Sequence, residues 1–186
     1  MAPKTKVTKE EIVDIAVDIV RKQGAAALNA RTLAAALDCS TQPVFSNFAG
    51  MEQLRFAVAQ KAEQMFREYM QQEADSGEFP AYKASGMAYI RFAKEEKELF
   101  KLLYMCDRTD AQISEKSDIN DQMENMVHSN TGLDPQKAKL FHLEMWAYVH
   151  GIATMFATNF LDLDWELVST MLTDAYQGLK KQYARE

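Results

Sequence analysis

The sequence predicts an all-α fold, on three observations. Long stretches are rich in Ala, Glu, Lys, Gln, Leu and Met, which lose little on entering a helix. Apolar residues recur at steps of three and four along these stretches. Seven Gly and four Pro in 186 residues leave little of the turn punctuation that a sheet requires. With 47% hydrophobic and 26% charged residues, the chain can build a real core, and global disorder is excluded.

The first helix is marked by Thr8-Lys9-Glu10-Glu11, a capping box in which Thr8 and Glu11 satisfy each other's free amides. Ile12, Ile15, Ala16, Ile19 and Val20 follow at helical spacing, and Gly24 stops the run. Lys4, Lys6 and Lys9 are expected to precede it as a basic arm.

Residues 29–54 are expected to form two short helices around a tight turn, then an aromatic-rich exit into another helix. Asn29 can cap Leu33-Ala34-Ala35-Ala36-Leu37, Asp38-Cys39 is a break, and Ser40-Thr41 offers a second N-cap. Pro43 falls in the first turn of the second helix, where a missing N–H costs little. Two helices this short on such a turn match a helix-turn-helix, whose second helix enters the DNA major groove.

Beyond it, Glu52 to about Asp75 is expected to be one long helix, ended by Asp75-Ser76-Gly77. Phe79-Pro80 opens a helix through Lys94 that carries Met87, Ile90 and Phe92. The break at 94–98 leads into a short apolar helix, Leu99 to Met105, and its Glu95, Glu96 and Glu98 are expected to be solvated. Ser114 to Ser129 is polar and expected at the surface. Asp134-Pro135 caps a long helix through Phe160, and the last helix begins near Asp164-Trp165 and runs past Leu179. No internal repeat or low-complexity segment occurs.

The net charge of −6 is unevenly distributed. Residues 1–60 carry seven Lys/Arg against six Asp/Glu, a balance of +1, which leaves −7 on the other 126. A near-neutral head on an acidic body fits a small DNA-reading module joined to a domain that avoids DNA. Two cysteines, Cys39 and Cys106, have no metal-like spacing and point to a reducing compartment. The N-terminus lacks the apolar stretch of a secretory signal, and no run of eighteen apolar residues occurs, so a cytoplasmic location is expected.

No nucleophile–base pair, phosphate loop or paired-Cys cluster occurs, so catalysis, metal and cofactor are not expected. His142 and His150 share a helical face but stand about 12 Å apart along it, too far for one ion. Hydrogen bonding is the expected role for these two and for His128. Eleven Met and many aromatics suit a deformable apolar cavity, with Phe92, Phe100, Tyr104, Phe141, Met145, Trp146 and Tyr148 as candidate lining residues. Ordinary bundle core is the competing role for each of them.

Residues 8–56 resemble the N-terminal domain of the tetracycline-repressor-like (TetR) family of transcriptional regulators. The resemblance is carried by Gly24, Ala30-Arg31-Thr32-Leu33-Ala34, Ser40, Val44-Phe45-Ser46-Asn47-Phe48 and Met51-Glu52-Gln53-Leu54. It implies an N-terminal helix-turn-helix domain (1–50) and a C-terminal helical domain for effector binding and dimerisation (51–186), with Thr41 to Phe48 as recognition helix. Three positions depart from the family pattern: Asp38 for a turn Gly, Phe45 for a Tyr on the phosphate backbone, and Met51 for a phosphate-binding Lys. DNA contacts are then expected from Lys4, Lys6, Arg31, Thr41, Gln42, Pro43, Phe45, Ser46 and Asn47, with Gln42, Ser46 and Asn47 reading base edges. Segments 89–105 and 147–159 resemble the regulatory domain of one TetR subgroup. The resemblance implies that the last two long helices pair with their mates in a dimer, with His150, Gly151, Met155, Val168, Met171 and Leu172 at the interface. It implies a homodimeric regulator, most plainly a repressor, that leaves a near-palindromic operator on binding a small apolar molecule. The rivals are a small-molecule carrier with a merely structural head and a constitutive DNA-binding dimer without effector.

Overall fold

The computed structural model describes residues 7–105 and 118–184. Among these the regular structure is helical: α1 (Lys9–Gln23), a 3₁₀ turn (Ala25–Ala27), α2 (Ala30–Ala36), α3 (Gln42–Asn47), α4 (Met51–Ser76), α5 (Ala81–Glu95), α6 (Lys97–Tyr104), α7 (Asp118–Thr131), α8 (Pro135–Ala157) and α9 (Trp165–Tyr183). None of these helices is long and apolar enough to cross a membrane. The described chain forms two compact units, one holding residues 7–67 and 96–105, the other 68–95 and 118–184.

The first unit grows from α1. Thr8 Oγ1 accepts from Glu11 N (3.1 Å) and Glu11 Oε2 accepts from Thr8 N (2.8 Å), so the capping box forms as the sequence predicts. Ile12, Ala16 and Val20 are wholly buried, and with Leu28, Leu33, Val44, Phe48, Leu54 and Val58 they make the core of this unit. Lys9 is not part of a preceding arm. It opens α1, and its Nζ lies 5.2 Å from the centre of the Phe48 ring. Gly24 stops α1 with φ +81, and a Cβ there would lie 3.0 Å from Glu98 Oε2.

The glutamates at 95–98 are not the solvated run that their composition suggests. Glu96 is only 7% exposed; its carboxylate accepts from Arg21 Nε (2.7 Å) and Arg21 Nη2 (2.5 Å), tying α6 to α1. Glu98 pairs with Lys101 (2.6 Å), and Glu95 accepts from Tyr69 Oη (2.8 Å). No local pattern announces the Arg21–Glu96 pair, because its members are 75 residues apart.

In the second unit α5, α7, α8 and α9 share a core. Met87, Ile90 and Phe92 of α5 are fully buried, as are Val127 of α7, Phe141 of α8 and Val168 of α9. Residues 114–117 lie outside the described residues, but α7 is not simply a surface helix, because Met123 and Val127 face this core. Asp134 caps α8 and Asp164 caps α9, each through Oδ1 to two amides. α8 ends at Ala157 rather than Phe160. Asn159 takes φ +56 there, and Phe160 N turns back to Met155 O (2.9 Å), a left-handed helix stop.

Two hydrogen-bonded rungs join α5 to α8: Tyr82 Oη to His142 Nδ1 (3.0 Å) and Tyr89 Oη to His150 Nδ1 (2.9 Å). Between them Gly86 leaves room for Val149 and Leu172, whose methyls lie 3.4 and 3.3 Å from where its Cβ would be. Burial holds both imidazoles below the ordinary histidine range, with Glu124 opposing the effect at His142. Burial, and secondarily Tyr176, holds the Tyr82 hydroxyl above its usual range.

The imidazole shifts fix a sign for pH dependence. In the unfolded chain both histidines take up a proton near the usual value of about 6.5, whereas in the folded chain they resist it. Their contribution to stability is therefore full above that value and is lost as the pH falls below it. Urea midpoints are expected to drop between pH 7.5 and pH 5.5, and a His142→Gln/His150→Gln variant to show a shallower drop. An unchanged pH slope in the variant would remove these two residues as its source.

Candidate nucleic-acid interface and regulatory helices

Local rules build the helix-turn-helix. Asn29 Oδ1 accepts from Arg31 N (3.0 Å) and Thr32 N (3.1 Å), while Thr32 Oγ1 accepts from Asn29 N (3.2 Å), so α2 starts in a reciprocal cap. After Leu37, Asp38 takes the left-handed conformation, φ +48, and Cys39 N donates back to Ala34 O (3.0 Å). An aspartate tolerates this region better than a branched residue, and so it can replace the expected glycine. Thr41 stands at the N-cap position of α3, but its hydroxyl makes no capping bond. Its backbone is already helical, φ −72 and ψ −12, which is not the extended geometry that aims a cap side chain at the free amides. Pro43 sits in the first turn as expected.

Val44 (1% exposed) and Phe48 (2%) anchor α3. Gln42, Phe45 and Ser46, spaced i, i+3, i+4, are all exposed and share one face. Phe45 is 52% exposed. Ser46 Oγ donates to Gln42 O (2.9 Å), and Asn47 Nδ2 donates to Pro43 O (2.8 Å). Two of the three expected base readers thus turn a donor back onto their own helix. Gln42 has no side-chain hydrogen bond among the described residues and projects from the first turn. Arg31 is exposed on α2, Thr41 and Pro43 are half-buried, and Lys4 and Lys6 lie outside the described residues. Arg55, which no motif singled out, is a further exposed cation of this unit. It pairs with Glu52 (3.3 Å) and reaches Leu28 O (3.4 Å).

Residues 82–175, just over half of the chain, match the family model for the "Tetracyclin repressor-like, C-terminal domain". The chain belongs to the tetracycline-repressor-like family. It is accordingly a DNA-binding regulator of transcription, and its family is one of regulators rather than enzymes. Solved structures share the fold. A TetR-like transcriptional regulator from Rhodococcus sp. RHA1 superposes with a TM-score of 0.72 at 17% identity, covering 95% of this chain and 97% of that one. A TetR family member from Streptomyces coelicolor A3 gives 0.62 at 19% identity, with 90% and 96% covered. The multidrug binding protein EbrR, solved with imidazole, gives 0.57 at 19%, with 89% and 93% covered. No curated protein matches the sequence.

In this TetR-like regulator two of the seven candidate pocket residues, Phe100 and Tyr104, belong to the first unit and the other five to the second. Phe100 and Tyr104 meet with tilted rings 5.2 Å apart in the first unit, where Phe66 meets Tyr104 edge-on at 5.9 Å. Phe92, Phe141 and Met145 are buried in the second. Trp146 and Tyr148 face outward, 39% and 40% exposed, and Trp146 stacks on His150 at 4.9 Å. Aromatic and Met content alone could not separate core from surface here. Met145 and Tyr148 instead border an open groove of about 400 Å³ between α8 and α9, with Glu144, Ala175, Gly178 and Leu179.

Of the candidate dimer residues, His150, Gly151, Met155 and Met171 keep partial exposure. Val168 (0% exposed) and Leu172 (2%) are buried within the chain's own core. Two further apolar residues of α8, Leu140 (48%) and Leu143 (56%), are exposed. Their signal lay in the sequence, since α8 carries apolar residues on more than one stripe.

Proposed function

We propose that this regulator acts as a homodimeric repressor that binds a near-palindromic operator through its 1–50 head and is released by a small apolar molecule bound in its 51–186 body. The observation that carries the dimer is the unpartnered apolar face of α8 and α9. Leu140, Leu143 and Trp146 on α8 and Leu167 on α9 remain exposed in a unit that already has a full core. Nothing lies within 4 Å of where a Cβ would stand on Gly151 and Gly178, so a second copy can approach both helices closely. Two-fold pairing of such a face is self-complementary and closed. Repression and release rest on the family, and the likeness to the multidrug binding protein EbrR supports a small-molecule effector. Release requires that the effector bind two dimer geometries with different affinity.

The test is selection of bound duplexes from a random DNA pool. The expected product is an inverted repeat with half-site centres about 34–36 Å apart. Leu143→Glu is expected to give a folded monomer by analytical ultracentrifugation and to weaken binding to that repeat about a hundredfold or more, since two heads then bind independently. Enrichment of single half-sites, or a Leu143→Glu protein that remains dimeric, would refute the arrangement. Candidate apolar molecules added to the selected complex should displace the DNA; a collection that thermally stabilises the protein yet leaves operator affinity unchanged counts against induction.

A further inference from the structure

The outward face of α3 pairs one free amide with one free aromatic ring. Gln42 is exposed without a side-chain partner among the described residues, and Phe45, one turn on, is 52% exposed. The neighbouring polar groups are partly occupied: Ser46 Oγ and Asn47 Nδ2 donate to carbonyls of the same helix at 2.9 and 2.8 Å. Asn47 is half-buried, so its side chain helps to fix the C-terminal turn of α3. A phenyl ring has no hydrogen-bonding group for a phosphate oxygen. Against DNA its favourable partners are apolar, and the one apolar group that base pairs display in the major groove is the thymine 5-methyl.

The geometry points to Phe45 as a specificity residue that covers a thymine 5-methyl, beside an adenine read by the Gln42 amide. The inference rests on the DNA-reading role given to α3 above. Side chains at i and i+3 are about 5–6 Å apart at Cβ, a separation that spans one to two base-pair steps. The thymine should therefore lie within two base pairs of that adenine in each half-site. Asn47, by contrast, becomes a positioning residue, because its amide donates to Pro43 O.

The experiment uses the full-length protein and the operator recovered by selection. Each thymine is replaced in turn by deoxyuridine, which removes only the 5-methyl. With the wild-type protein one thymine per half-site should stand out, with affinity falling about fourfold for one substituted half-site and about fifteenfold for both. Phe45→Ala should lose a similar factor on the thymine operator and become indifferent to the deoxyuridine change. Because Phe45 is half-exposed, the variant should keep the wild-type thermal midpoint. If no thymine is sensitive although the operator is bound specifically, the methyl contact is overturned while the DNA-reading role stands. A Phe45→Ala variant that keeps the full deoxyuridine penalty overturns it as well. If selection returns no preferred sequence, the failure lies with the DNA-reading role itself.

Discussion

Arg21→Met is expected to destabilise the first unit by about 2 kcal/mol, at the low end for a broken buried pair because part of the arginine is solvated. Glu96 is the reason. Its side chain is 7% exposed, and both carboxylate oxygens are held by one guanidinium at 2.7 and 2.5 Å. Removing the arginine leaves a carboxylate with little access to water and no cation to offset it. Asp18, 3.9 Å from Arg21 Nη1, cannot replace the lost charge because it has the wrong sign. Glu96 also opens α6, accepting from Phe100 N at 2.8 Å, so its displacement disturbs the first turn of that helix. The partner substitution tests the cause. Arg21→Met/Glu96→Leu should recover most of the loss, since an apolar pair of similar volume avoids the desolvation problem altogether. Urea denaturation of the four proteins gives the coupling directly. If the double variant is as unstable as the sum of the two single ones, the pair is not the source, and packing of the arginine stem is.

The larger effect is expected at Phe141. Phe141→Ala should cost about 3–5 kcal/mol, the range for emptying a buried aromatic site. The ring is fully buried among Val127, Ala138 and Met145. Tyr176 meets it edge-on at 5.3 Å and Tyr183 lies tilted against it at 5.8 Å, so it anchors the C-terminal half of α9 on α8. Rings in such arrangements gain about 0.5–1.5 kcal/mol per pair beyond their buried area. The vacancy cannot close easily, because Tyr82, packed against the same cluster, is held by His142. Loss of near-ultraviolet dichroism and a lowered thermal midpoint are the expected signs. Phe141→Leu should lose less, about 1–2 kcal/mol, since it refills much of the volume. Two residues away, the exposed Leu143 tolerates a charge without unfolding under the proposed arrangement, so the contrast separates core from interface. Equal stability of Phe141→Ala and wild type would show that this cluster is not the centre of the unit.

How much was legible in the sequence varies with the range of the interaction. The caps at Thr8, Asn29 and Asp134, and the start of the last helix near Asp164, were legible because a cap joins residues two or three apart. The stop at Asp75-Ser76-Gly77 and the break near Glu96 were equally local. Thr41 shows the limit even at short range: it occupies the cap position, but the turn before it has set its backbone to helical values. The acidic run at 95–98 was misleading because charge density says nothing about a cation 75 positions earlier. Ser46 and Asn47 have the right chemistry for base edges, yet helix geometry places their donors on carbonyls four residues back. The family resemblance placed Val168 and Leu172 at an interface, but both are buried within the chain itself, whereas Leu140 and Leu143 stay exposed.

The sequence by itself determined that the chain is helical, where most helices start and stop, and that residues 29–54 form a helix-turn-helix. Each of these depends on neighbours within one or two turns. Only the tertiary structure decided which apolar stripe of α8 is buried and which stays exposed. It also decided which carboxylate gives up its water, and which side chains of the recognition helix stay free. Those outcomes depend on what another helix brings into contact, and no spacing along the chain encodes that. The fold class followed from local physics, and the candidate surfaces emerged only once the core had been filled.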